Sequence, residues 1–276
     1  WRDIFQNWEA LCMSYPAFTE ACIAAFANAS TVDGHNPYRI TRGGIDWEVT
    51  DPDDPWTFIG YWGDHQIVYL LKLLEWHRAV RPEAMASLLR KRAFAYADVP
   101  YRIKGYADLL ADPRETIVFD EAWNRRARRR EAEVGGDGLM RRDEGGEVVH
   151  VTLAEKLTLS VLAKLANLVV DGGVWMNTQR PEWNDANNAL AGWGLSMVTL
   201  NHLRRHLRFL RELFEEMGEG PVEVSGEAAR WLERTLGILE AHRGMLEGEA
   251  TSPTARRVLL SDLGRSAEAY RAAVYD

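Results

Sequence analysis

Asp64-His65-Gln66-Ile67-Val68-Tyr69-Leu70-Leu71-Lys72-Leu73-Leu74-Glu75-Trp76-His77 is the stretch that decides the fold class. Ile67, Val68, Leu70, Leu71 and Leu74 recur at the spacing of one helix face, so the segment predicts a helix with that face buried. The same period runs through residues 2–28, at Ile4, Phe5, Trp8, Leu11 and Cys12 and then at Phe18, Cys22, Ala25 and Phe26. Pro16 interrupts it, which predicts two helices joined near Ser14–Pro16. Downstream, Pro82 at a favoured first-turn position predicts a helix to about Tyr96. Thr152-Leu153-Ala154-Glu155 is a capping-box pattern opening a helix that ends near Gly172-Gly173. Further helices are expected from about Asn188 to Met217, from Ser225 to Leu246, and from about Ser252 onward. No strand run with convincing period-two alternation stands out; Glu147–Val151 is the best candidate and is short. The expected class is all-α, built of consecutive antiparallel helices with elaborate loops at their ends.

The 276 residues suffice for one large domain, taken here as a single domain over 1–276. Hydrophobic residues at 46% and charged residues at 27% are the balance of a globular chain rather than a disordered one. No apolar run approaches the roughly 20 residues of a membrane span. A net charge of -8 argues against broad binding to nucleic-acid backbones or acidic membranes. Cys12 and Cys22 supply neither a disulfide framework nor a zinc pattern, and buried thiols in a reducing, cytoplasmic compartment are expected. Trp1 in place of methionine, with a helical pattern starting at once, suggests part of a longer protein. The composition also holds an excess: 11 tryptophans against 9 tyrosines and 8 phenylalanines.

Three segments carry side chains suited to chemistry. The loop Asp171–Asn188 contains Trp175 and then Pro181-Glu182-Trp183-Asn184-Asp185-Ala186-Asn187-Asn188. Aromatic faces cover the apolar side of a sugar ring while carboxylates and amides bond its hydroxyls. Asp185 or Asn187 would serve equally as a cap for the following helix, and both roles can coexist. Around Tyr61-Trp62-Gly63-Asp64-His65-Gln66, Asp64 reads as an N-cap that sets His65 and Gln66 in a first helical turn, with a plain cap as the alternative. The third segment is Trp1-Arg2-Asp3 followed by Gln6-Asn7, which also reads as ordinary helix-start surface. The loop from Ala29 to Tyr61, with Asp51-Pro52-Asp53-Asp54-Pro55, Trp47 and Trp56, is long enough to suggest a functional role.

Taken together and in this order, the three segments resemble the cellobiose and chitobiose phosphorylase family of inverting enzymes built on an (α/α)6 toroid. The matching features are the aromatic-Arg-Asp start, the Gly63-Asp64-His65 helix start, and Glu182-Trp183-Asn184-Asp185-Ala186-Asn187. The resemblance implies an incomplete toroid: roughly eight helices are read where a complete one needs about twelve. It further implies that Asp185 is the general acid, held protonated by burial against Trp183. Trp183, Arg2, Asp3, Asn7, Trp62, Asp64, His65, Gln66 and Glu182 would then bind substrate. Asn7 and Glu182 depart from the family's Asp at both places, which leaves sugar identity and linkage open.

In the family inorganic phosphate attacks directly, so phosphate is the expected co-substrate and no other cofactor or metal is implied. An inverting hydrolase would instead need a second carboxylate about 6.5–9.5 Å from the acid, for which Asp64, Asp3, Asp46 and Glu48 are candidates. A non-catalytic carbohydrate-binding module is the remaining alternative. The expected partner is an oligosaccharide or β-glucoside, with no nucleic acid and no membrane; a homodimer of the full-length protein is allowed.

Other features are read as structural. His202 and His206 have two-His metal spacing, but Arg204, Arg205 and Arg208 would repel a cation. The Arg125–Arg130 run is flanked by Glu121, Glu131 and Glu133 and reads as a solvated helix or loop face. Gly135-Gly136-Asp137-Gly138 reads as a turn. Trp8, Trp76, Trp123 and Trp231 fall in helix-packing segments. Trp1, Trp47, Trp56, Trp62, Trp175, Trp183 and Trp193 fall in or beside loops and suggest an aromatic-walled cleft.

Overall fold

The computed structural model describes residues 2–36, 39–51, 53, 59–62, 65–180, 191–218 and 220–275, with Arg2, Asp3, His65, Gln66, Gln179 and Arg180 described through their backbone. The chain is mostly helical, with eleven α-helices among the described residues and strands only two or three residues long. The helices are α1 (Arg2–Ser14), α2 (Thr19–Asn28), α3 (Leu71–Val80), α4 (Pro82–Arg90), α5 (Tyr106–Ala111) and α6 (Glu121–Val134). They continue with α7 (Leu153–Leu165), α8 (Met197–Glu216), α9 (Gly226–Ala241), α10 (Arg243–Leu246) and α11 (Pro253–Tyr275). A π-helical turn, His65–Leu70, leads into α3. The strands are β1 (Arg39–Thr41), β2 (Gly44–Asp46), β3 (Tyr61–Trp62), β4 (Arg92–Phe94), β5 (Tyr101–Ile103) and β6 (Ile117–Phe119). They end with β7 (Val151–Thr152), β8 (Leu168–Val169), β9 (Gly173–Trp175), β10 (Gln179–Arg180) and β11 (Leu195–Ser196). No described helix is long and apolar enough to cross a membrane.

Helix α7 is the centre of the larger core. Leu153 to Leu157 and Leu159 to Lys164 are all buried, so it is covered on every side, by α2, α4, α8, α9 and α11. The predicted apolar face Ile67, Val68, Leu70, Leu71 and Leu74 is buried in the same cluster. Side-chain pairs fix the helix directions. Phe5 stacks on Tyr69 at 4.7 Å, Glu9 pairs with Lys72 at 3.2 Å, and Trp76 Nε1 donates to Cys12 O at 3.1 Å. Both numbers rise together, so α1 and the His65–Val80 helix run parallel. Arg205 with Glu75 (2.8 Å) and Arg78 with Glu212 (3.0 Å) make α8 parallel to α3 as well. The starts of α1, α3 and α8 therefore lie at one end of the bundle. Helix α7 runs the opposite way: Thr152 and Glu155 at its start bond Glu223 and Ser225, beyond the end of α8. Trp231 stacked on Tyr270 and His242 beside Asp262 show that α9 and α11 are antiparallel.

The helix ends differ from the sequence expectation. Helix α4 stops at Arg90 rather than near Tyr96, because Arg92–Phe94 pairs with Val151–Thr152. Helix α7 stops at Leu165, and Leu168–Val169 instead forms an antiparallel hairpin with Gly173–Trp175. Helix α8 starts at Met197, capped by Ser196, rather than near Asn188; Leu195–Ser196 joins β9. The Ser225–Leu246 helix is interrupted at His242. The partners of Arg92–Phe94 and Leu195–Ser196 are remote in sequence, so local periodicity carries no sign of them, whereas Leu168–Val169 pairs within a local hairpin. Arg125–Arg130 lies on α6, but it is only partly a solvated face. Arg128 pairs with Asp46, and Arg130 pairs at 2.6 Å with the buried Asp98.

Candidate functional site

The end of the bundle where α1, α3 and α8 begin also holds a short backbone ledge. Strand β10 pairs in parallel with β3, placing Gln179 beside Tyr61 and Arg180 beside Trp62. On its other side Trp62 forms an antiparallel bridge to Asn36, its N–H donating to Asn36 O at 3.0 Å. The ledge is anchored by Tyr61 N donating to Thr178 O at 3.1 Å and by Asn177, whose Oδ1 accepts from Thr178 N at 2.7 Å and whose Nδ2 donates to Asn167 at 3.0 Å. Neighbouring strands lie about 4.8 Å apart. Trp62 and Arg180, the last described residues before positions 63 and 181, thus lie one strand spacing apart. Sequence separation gave no reason to expect that juxtaposition.

Beneath the ledge, the Thr31–Asn36 turn packs on α7. Gly34 has φ +80° and lies so close to the helix that a Cβ there would stand 2.4 Å from Leu159 O. This approach buries Asp33, whose carboxylate accepts from Thr31 Oγ1, from Tyr61 OH at 3.2 Å and from Tyr275 OH at 2.6 Å. The His35 ring stacks on Tyr61 at 4.9 Å. Asp33, His35, Asn167, Asn177, Thr178 and Arg271 line a small cavity. Lys164, fully buried near the end of α7, adds a positive charge. Burial, reinforced by Lys164 and Arg271, holds His35 well below the usual histidine range. Burial and Lys164 likewise push His206 down to about 4, so both imidazoles are neutral at pH 7.

Of the residues singled out by the sequence, Asp185, Trp183, Glu182 and Asp64 lie outside the described residues, as do Trp1 and Trp56. Arg2, Asp3, His65 and Gln66 are placed by their backbone at the starts of α1 and of the α3 lead-in, at the ledge end. Trp62 is half-buried on the ledge and Asn7 is exposed on α1. Asp46 is a poor candidate for a base. Burial alone would raise its carboxyl, but hydrogen bonds from Arg128, Arg39 and the Trp47 N–H outweigh that and hold it below the usual range. Glu48 is half-buried, with its carbonyl accepting from Tyr101 OH at 2.6 Å.

Trp47 is not a cleft residue: it is 3% exposed, donates to Asn124 at 3.0 Å and lies under the Arg128 guanidinium at 4.1 Å. Trp175 is half-buried and tied to Gly192 O at 2.9 Å, whereas Trp193 is 66% exposed. Among the described residues no three metal-ligating side chains come together, and His206 is enclosed in the core.

Sequence reasoning missed Asp33, His35, Asn36 and Lys164. The available signal was Asp33-Gly34-His35-Asn36 inside a loop already marked as too long to be idle, with a glycine suited to a left-handed turn. The chain matches no family model, and a search of curated proteins returned no match.

Proposed function

We propose that this chain is the central part of an (α/α)6 catalytic domain that cleaves a glucosidic bond with inversion, by phosphorolysis of a β-glucoside. The observation that carries the reading is the parallel pairing of β3 with β10. It sets Tyr61–Trp62 and Gln179–Arg180, which precede the Asp64-His65 and Glu182–Asp185 segments in the chain, side by side near the end of the bundle where the backbone of α1 begins at Arg2. Described residues that adjoin each of the three candidate segments in the chain thus lie towards one end of the bundle, which supports reading the segments as one site. The parallel run of α1, α3 and α8 supports the toroid, since alternate helices of a hairpin ring point the same way.

In this reading Trp183 and Trp62 cover the apolar face of the sugar, and Arg2, Asp3, Asn7, Asp64, His65, Gln66 and Glu182 bond its hydroxyls. A phosphate oxygen attacks the anomeric carbon from the face opposite the leaving group. As the C–O bond breaks, Asp185 gives its proton to the departing oxygen, and the products are the inverted sugar 1-phosphate and the shortened glycoside.

The test is a panel of β-glucosides incubated with the full-length protein, with and without inorganic phosphate. Release of glucose 1-phosphate only when phosphate is present is the expected result. Release of free glucose without phosphate would make it a hydrolase, with Glu48, Asp3 or Asp64 next to be tested as base. Binding without turnover would reduce it to a carbohydrate-binding module. Asp185→Asn is expected to lower kcat by about 10²–10⁴-fold with an unchanged circular dichroism spectrum. Turnover near the wild-type rate would remove Asp185 as the acid.

A further inference from the structure

Arg271, one turn before the end of α11, is 9% exposed and lines the small cavity beneath the ledge. Among the described residues its guanidinium pairs with no carboxylate and donates no hydrogen bond. A buried cation is costly unless a counter-charge meets it. The carboxylate in the cavity wall, Asp33, makes no ion pair with Arg271 and already accepts from three hydroxyls. His35 lines the same cavity; it is 4% exposed and its Nδ1 has no hydrogen-bond partner. Asn167 and Asn177 add amide groups to the wall. Asn167 Nδ2 donates to Ala163 O at 3.2 Å, and Asn177 Nδ2 donates to Asn167 Oδ1 at 3.0 Å. An amide nitrogen carries two hydrogens, so each keeps one unused. Asn177 Oδ1, by contrast, is filled by the Thr178 N–H and hydroxyl. What this lining leaves over is donors and positive charge.

We infer that this cavity is a binding site for a single halide ion, chloride, held between the Arg271 guanidinium and the N–H groups of His35, Asn167 and Asn177. Size and charge select the ligand together. The cavity volume is about 10 Å³, room for one water-sized guest, so tetrahedral oxyanions such as phosphate and sulfate do not fit. Water fits, but it leaves the guanidinium without a counter-charge. Burial and the positive charges of Lys164 and Arg271 keep His35 neutral, and a neutral ring can carry its proton on Nδ1 and donate it to the anion. The bound ion ties α11 to the Thr31–Asn36 turn and to Asn177 under the ledge. This inference stands apart from the carbohydrate reading and does not depend on it.

The test is thermal unfolding of the full chain in sodium gluconate, with chloride replacing gluconate at constant ionic strength. Arg271→Gln removes the charge and keeps a polar side chain. The wild-type Tm is expected to gain about 3 °C on that of Arg271→Gln once chloride reaches roughly ten times its Kd. Bromide should act as chloride does, whereas sulfate at equal ionic strength should leave the difference between the two proteins unchanged.

An equal chloride response in wild type and Arg271→Gln would overturn the inference, because it would reflect salt acting on the whole surface. Should Arg271→Gln fail to fold, wild-type crystals grown with sodium bromide decide. An anomalous bromine peak in the cavity, against the Arg271 guanidinium, supports the site. Water at that position with no bromine overturns it.

Discussion

Asp33 accepts from Tyr61 OH and Tyr275 OH, tying the Thr31–Asn36 turn to β3 and to the last turn of α11, and from Thr31 Oγ1 within the turn itself. The arrangement depends on Gly34, whose positive φ and contact with Leu159 leave no room for a side chain. Gly34→Ala is therefore expected to destabilise by about 2–4 kcal/mol, combining left-handed strain with a clash against helix backbone. Urea unfolding would measure it, and a loss under about 1 kcal/mol would mean that the turn can shift away from α7. The residue scale is also where sequence reading was least complete. An Asp-Gly-His-Asn run is common in loops, and nothing local marks Asp33 as an acceptor for hydroxyls 28 and 242 positions away. Trp47 shows the converse: its place in a loop suggested a cleft wall, but Asn124 and Arg128 from α6 enclose it.

At the scale of elements, amphipathic spacing located most helices because burying one face is a property of a single segment. Thr152 does cap α7, its Oγ1 accepting from Glu155 N at 3.2 Å. The carboxylate expected to complete the capping box serves a different purpose. Glu155 accepts from Tyr96 OH at 2.6 Å, from Ser225 N at 2.6 Å and from Ser225 Oγ at 3.0 Å, joining the start of α7 to the start of α9. Glu155→Ala would leave the buried Tyr96 phenol and the part-buried Ser225 N–H without their acceptor. It is expected to cost about 3–5 kcal/mol, read from the urea midpoint. A loss near 1 kcal/mol would mean that the carboxylate acts only as an ordinary cap residue.

For the whole molecule, buried neutral histidines set the acid limit. His206 titrates at about 4 in the folded chain and near 6.5 when unfolded. Between those values the unfolded chain binds more protons, so stability falls as pH drops from 6.5 towards 4 and His206 adds nothing further below that. The shift corresponds to roughly 3 kcal/mol at pH 4. His35, held low for the same reason, acts in the same direction. Asp98 acts in the opposite direction, because burial raises its carboxyl despite the hydrogen bond from Arg130. Urea unfolding of wild type at pH 7 and pH 4.5 should show the loss, and His206→Phe should make the difference clearly smaller. An equal pH dependence in both would mean that His206 is solvated or already charged.

The sequence by itself determined that this chain is mostly helical and where most helices lie, and it singled out three segments as candidates for chemistry. Helical period, capping residues and composition are local, and a single chain states them directly. Only the tertiary structure decided where α4 ends and where α8 begins, because the strands beside them pair with remote partners. It also decided that Tyr61–Trp62 and Gln179–Arg180 lie side by side, with Asn36 closing the other edge. That pairing is made by backbone groups, which are alike in every residue, so no choice of side chain at positions 36, 62 or 180 could announce it.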